Sequence, residues 1–248
     1  MRKDRQFRPL PVPSVTLGGL FGERQDAICD STAETLLDRC VAAGMLKAID
    51  VDQPSPGIVI PISPWGGSTQ MFWDSDLGKS IETVAYSLYR RANPELEARV
   101  DQIIDMYEKL QDKDGYLNAW FQRVQPGRRW TNLRDHHELY CAGHLIEGAV
   151  AYYQATGKRK LLDIMCRYAD YMITVFGHGP GKIPGYCGHE EIELALVKLA
   201  RVTGEKKYLD LSKYFIDERG TDPNFFTAEA IRDGRDPADF HQKTYQYG

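Results

Sequence analysis

The chain has 248 residues, of which 42% are hydrophobic and 27% charged, and a formal net charge of −4. That is the make-up of a soluble globular protein with enough chain for one large core. The charge balance excludes electrostatic capture of nucleic acid or of an anionic membrane surface, and no run approaches the ~18 apolar residues a membrane-spanning helix needs.

The chain reads as one domain over 1–248, opening with an irregular lead-in over 1–29. The basic start from Met1 to Arg8 is followed by Leu10 to Phe21, which carries Pro11, Pro13, Gly18 and Gly19. That is a poor signal-peptide core with no small-residue cleavage site after it, so a cytoplasmic protein is expected. The five cysteines, Cys29, Cys40, Cys141, Cys166 and Cys187, are odd in number and include no C-x-x-C pair. Buried free thiols are expected rather than a disulfide framework.

Helical periodicity governs the chain beyond the lead-in. A first helix is predicted from about Asp30 to Gly44, with Ala33, Leu36, Leu37, Cys40 and Val41 on one face. Asp30 or Ser31 would cap it and Gly44 would end it. A loop rich in Pro and Gly runs through Pro54 to Gly67. The next helix spans about Ser75 to Ala92 and stops at Asn93-Pro94. Another runs from Glu95 to Gln111, with Leu96, Val100, Ile103, Ile104, Tyr107 and Leu110 as its apolar stripe. Asp112 to Leu117 reads as a turn feeding a short extended piece. Asp135 to Thr156 is the longest predicted helix. Arg159–Val175, His189–Thr203 and Lys206–Arg219 complete seven. No alternating Val/Ile-rich run argues for a large sheet.

A weak repeat underlies the second half. Ala155-Thr156-Gly157-Lys158-Arg159-Lys160-Leu161-Leu162-Asp163 aligns with Val202-Thr203-Gly204-Glu205-Lys206-Lys207-Tyr208-Leu209-Asp210. In both, a glycine ends one helix and the next begins after a very short turn, as in antiparallel hairpins. Repeating hairpins predict a solenoid or a closed ring. The longer loops would then gather at one end, where a site tends to be built.

Three segments could carry chemistry. In Asp135–His144, a continuous helix would put His137, Cys141 and His144 on one face, a spacing able to hold zinc. The alternative is that Cys141 and His144 pack in the core while His137 faces a cleft. In Gly185–Leu196, Glu190 and Glu191 fall in the first turn of a helix, where its dipole favours carboxylates. His189 at that junction could hydrogen-bond a sugar hydroxyl. In Phe72–Lys79, Asp74 or Ser75 either caps the helix or shapes the cleft. Trp65, Trp73, Trp120 and Trp130 sit in or beside loops, where they could stack on sugars or simply pack. There is no nucleophile elbow, P-loop or dinucleotide fingerprint.

Taken in order, several pieces resemble glycoside hydrolase family 127, the β-L-arabinofuranosidase group. They are Asp74-Ser75-Asp76 with Lys79 and Glu82; Asp114-Gly115-Tyr116-Leu117; His137-Glu138-Leu139-Tyr140 with Gly143 to Glu147; Gly181-Lys182-Ile183; Gly188-His189 with Glu191 to Leu196; and Tyr208-Leu209 with Arg219-Gly220. The resemblance covers about Phe72 to Gly220. It implies an all-α fold, an incomplete (α/α)6 toroid of helical hairpins. It implies retaining hydrolysis of terminal β-L-arabinofuranosides or a related sugar, through a zinc-bound cysteine thiolate and an acid/base glutamate. It also implies that His137 and His189 line the sugar pocket, with Asp74 and Asp76 in a motif near it.

No cysteine of this chain matches a zinc ligand of the family, so the family's zinc, nucleophile and acid/base are expected to be absent here and the chain inactive alone. The expected partners are a carbohydrate and either a second copy or a complementary chain covering an open edge. The rival reading is a non-catalytic, shortened toroid that binds carbohydrate or protein.

Overall fold

Apolar residues at three- and four-residue spacing fix the helices. The computed structural model describes them over residue 10 and residues 14–62 and 68–238. Within the described residues the chain is all helical, apart from one isolated pairing of Phe176 with Ile183. The predicted extended piece after Asp112–Leu117 forms no strand.

Helix α1 (Gly19–Ala27) passes through one π-helical turn at Ile28–Thr32 into α2 (Ala33–Ala42). The irregular lead-in expected over 1–29 is therefore corrected from Gly19 onward. Gly18 and Gly19 suggest a break, but long-range ties hold the segment helical: Arg90 pairs with Asp26 at 3.1 Å, and Cys29 donates to the Ser87 carbonyl. After the short α3 (Met45–Ile49), α4 (Trp73–Arg90) and α5 (Pro94–Leu110) form a hairpin. Asn93 opens α5 by accepting from the Leu96 amide, with Pro94 at the first helical position. The buried stripe of α5 is Leu96, Val100, Ile103, Ile104, Tyr107 and Leu110, as its periodicity predicts.

Two further hairpins come next, α6 (Glu138–Thr156) with α7 (Lys160–Val175), and α8 (Ile192–Thr203) with α9 (Lys206–Arg219). A short α10 (Phe225–Arg232) closes the described chain. The repeat is real at atomic level. Thr156 Oγ1 donates to the Tyr152 carbonyl and accepts from the Lys158 amide. Thr203 does the same with Leu199 and Glu205. Gly157 and Gly204 then supply the left-handed C-cap, at φ 76° and 79°.

Alternate helices make two layers. Helices α2, α4, α6 and α8 pack side by side in one, and α7 and α9 lie behind α6 and α8, with α5 against α7. This is an arc of a two-layered helical toroid. Helix α6 is buried on nearly every side, so it shows no single apolar face. It gets close enough to α4 because glycines meet there. A Cβ on Gly78 would lie 2.7 Å from the His144 carbonyl, and one on Gly148 would lie 2.7 Å from the Gly78 oxygen.

Candidate functional site

The loop end of the first layer gathers the starts of α4, α6 and α8. Helix α6 begins at Glu138, three residues later than predicted. Asn132 draws the chain into turns by bonding Asp135, and His137 adopts a left-handed conformation at φ 57°. His137 is therefore off the helix, and the expected face of His137, Cys141 and His144 does not form. Cys141 is buried and donates to the Met71 carbonyl instead.

The left-handed turn aims the His137 ring at its neighbours. It lies 4.7 Å from the His189 ring, 4.4 Å from Phe72 and 5.5 Å from Tyr140. Tyr140 in turn lies 5.3 Å from His189 and 4.6 Å from His144, and its hydroxyl accepts from Lys79 Nζ at 2.9 Å. Lys79 stands 3.7 Å from half-exposed Asp76. The result is a half-buried patch of rings with one cation and one carboxylate at its edge.

Burial pushes the His137 imidazole down to about 4 and also lowers that of His189. Both rings are neutral near pH 7. His137 Nδ1 faces the Asp135 carbonyl at 2.5 Å, so that nitrogen carries the proton. Its Nε2 is then a lone-pair acceptor.

Below the patch lie two buried carboxyls that shape it. Glu138 accepts from the Trp130 amide at 2.7 Å and from the Tyr116 hydroxyl, and burial raises it to about 8. Asp74 accepts from the Ala119 amide at 2.7 Å and the Tyr107 hydroxyl at 3.0 Å, and burial raises it to about 6. Asp74 is only 2% exposed. Its expected place as a helix cap is corrected, because long-range donors take up both of its oxygens; its part is to shape the cleft from beneath. Trp73 and Trp120 are core residues, Trp130 packs among Tyr116, Tyr171 and Phe176, and Trp65 lies outside the described residues.

Beside Tyr140 is a second polar group. His144 Nδ1 lies 3.3 Å from Glu191 and 3.6 Å from Glu147. Helix α8 starts at Ile192, so Glu191 precedes the helix rather than sitting in its first turn as expected, while Glu190 is exposed. Burial and the neighbouring Glu147 raise the Glu191 carboxyl, whereas hydrogen bonds and Lys198 hold Glu147 low. Sequence reasoning offers His144 as a zinc ligand, but with His137 and Cys141, and does not pick out Tyr140, Lys79, Glu147 or Glu191 as site residues. The i, i+3 spacing of His144 and Glu147 is the one local signal that points to them.

The family's zinc-bound thiolate does not fit the cysteines present. All five are free, and burial raises every one of their thiols, that of Cys187 to about 12. No cysteine joins a cluster of metal-ligating side chains among the described residues.

A family model described as "Beta-L-arabinofuranosidase, GH127 catalytic domain" matches residues 14–248. The non-reducing end β-L-arabinofuranosidase of Bifidobacterium longum subsp. longum is 39% identical over 207 residues, covering 82% of this chain and 29% of that protein. Among solved structures, the GH127 β-L-arabinofuranosidase Ara127N of Geobacillus stearothermophilus T6 matches with a TM-score of 0.79 and 43% identity. That match covers 90% of this chain and 35% of the other. The GH127 β-arabinofuranosidase BT3674 matches with a TM-score of 0.76 and 35% identity, over 86% and 34%. The chain thus spans about a third of the length of these relatives.

Proposed function

The chain belongs to glycoside hydrolase family 127, and from that premise we propose that it forms one wall of the sugar pocket of a retaining β-L-arabinofuranosidase or an enzyme for a related sugar. The observation that carries this is the pairing of His137 with His189 at the loop end of the arc. Two neutral imidazoles there offer an acceptor and donors to the hydroxyls of a small sugar ring, and Phe72 and Tyr140 offer apolar faces. Asp76, half-exposed beside Lys79, is a further hydroxyl acceptor. Asp74 acts from beneath by fixing the start of α4.

In this reading the zinc, the thiolate nucleophile and the acid/base carboxylate come from a part of the fold outside these 248 residues. The work of the present residues is to hold and orient the sugar. Their free thiols fit a reducing, cytoplasmic setting. Leu209, Ile216 and Ile231 are exposed on α9 and α10, and such apolar surface favours a partner or further hairpins on that edge.

The test has two parts. Titration of methyl β-L-arabinofuranoside into imidazole-labelled protein should give saturable shifts at His137 and His189, lost in His189→Ala. Hydrolysis of a chromogenic β-L-arabinofuranoside, with zinc and reductant present, should not be detectable with this chain alone. Absence of shifts would remove the pocket assignment. Turnover abolished by substituting one of the five cysteines would move the active site into this arc.

A further inference from the structure

His144, Glu147 and Glu191 have no part in the sugar-binding reading, yet their ligand atoms converge. One nitrogen and two carboxylate oxygens lie within 4.8 Å of one another. His144 Nδ1 is 3.3 Å from Glu191 Oε1 and 3.6 Å from Glu147 Oε2. A tetrahedral cation with bonds of ~2.0–2.2 Å separates its ligands by roughly 3.3–3.6 Å, so both of these edges already have the right length.

The atoms are also available. His144 Nδ1 and Glu191 Oε1 are buried and face only other members of the trio, with no outside donor or acceptor to compete for them. Lys198 pairs with Oε1 of Glu147, which leaves Oε2 to face the histidine. The charge balance suits a divalent ion. Glu82, Glu147 and Glu191 together with Lys198 sum to −2 when all are ionised, and Glu82 stands 3.7 Å from the lysine. The local fold enforces the convergence. A Cβ on Gly143 would meet Glu191 Cγ at 2.6 Å, so only glycine lets the start of α8 come this close to α6.

We propose that His144 Nδ1, Glu147 Oε2 and Glu191 Oε1 form a binding site for one divalent transition-metal cation of the zinc class. One imidazole nitrogen and two carboxylate oxygens make a ligand set for zinc and its neighbours, with a coordination position left for water. The site involves no cysteine. Tyr140 separates it from the His137–His189 pair.

The experiment is equilibrium dialysis of the chelator-stripped, purified protein against Zn2+ alone, followed by Co2+ spectroscopy. One ion per chain is expected, with no sulfur-to-cobalt charge-transfer band. His144→Ala and Glu191→Gln should each weaken binding by more than the ~10–100-fold that outer-shell changes cost at metal sites. His137→Gly should bind as the parent does, which separates this site from the sugar patch. Glu191→Gln keeps the shape of a protonated glutamate, so it stays informative if His144→Ala folds poorly. No binding by the parent at micromolar zinc would overturn the proposal. So would binding that survives Glu191→Gln, or a thiolate band with cobalt.

Discussion

His137 and His189 belong to different hairpins, yet their rings lie 4.7 Å apart because His137 occupies a left-handed conformation just before α6. A β-carbon in that conformation costs about 1 kcal/mol, and the surroundings hold it in place. His137→Gly should therefore be more stable than His137→Ala by about that amount, although both lose the ring. Urea denaturation of the two variants measures the difference. Equal stabilities would mean the backbone strain is not held there.

Adjacent residues give the protein opposing pH responses. His137 titrates at 6.5 when unfolded and about 4 when folded. As pH falls through that window the unfolded chain takes up a proton the folded chain refuses, so stability drops. Glu138 titrates at 4.5 unfolded and about 8 folded. As pH rises from 4.5 to 8 the unfolded chain has released a proton the folded chain still holds, and stability drops again. His137→Gly should remove a loss of stability on acidification from pH 6.5 to about 4, and Glu138→Gln a loss on raising the pH from 4.5 to about 8; where the windows overlap the two oppose, so each variant uncovers the other's slope there. Unchanged slopes in both would refute the assignment.

At the α4–α6 crossing, Gly78→Ala or Gly148→Ala puts a methyl group within 2.7 Å of main-chain atoms that cannot swing aside. A loss of about 1–3 kcal/mol or more is expected. Gly220→Ala is the control, since its nearest neighbour is the Asp217 oxygen at 3.4 Å. Thermal melts that rank all three alike would argue against tight packing at the crossing.

Thiol labelling checks the view that no cysteine of this arc is activated. Cys40, Cys141 and Cys187 are buried, and Cys29 and Cys166 are partly covered. With Ellman's reagent the folded protein should react slowly, at no more than two thiols, and at all five once denatured. One fast-reacting thiol in the folded state would identify a nucleophile that the structure does not account for.

The second-layer helices are legible in the sequence because each has a buried stripe and a solvent face. The buried stripe of α5 and the bounds of α9, Lys206–Arg219, come directly from spacing. The first layer is harder to read. Helix α6 is apolar almost all round, so periodicity sets neither its face nor its start, and the turns made by Asn132 delay it to Glu138. Asp74 has the right chemistry for a cap, and only Tyr107 and Ala119, distant in sequence, turn it into a buried anchor. Local reading puts His137 at a cleft and His189 at a loop-to-helix junction, but their place together in one pocket comes from family resemblance, not from spacing. The grouping of His144 with Glu191 depends on the approach that Gly143 permits, which no local pattern encodes.

The Thr-Gly turns at Thr156-Gly157 and Thr203-Gly204 tie off the carbonyl ends of α6 and α8 with atoms from a few residues away. Each turn is thus self-contained in its polar bonding, whatever lies next to the hairpin it closes. The hairpins themselves are joined by apolar packing and by polar pairs such as Tyr152 with Asp101 and Lys207 with Asp170. A ring built from these hairpins can be divided, lengthened or grafted at the connections between them, and the energetic penalty at each seam is the bare apolar face together with the polar pairs that a neighbouring hairpin would otherwise supply.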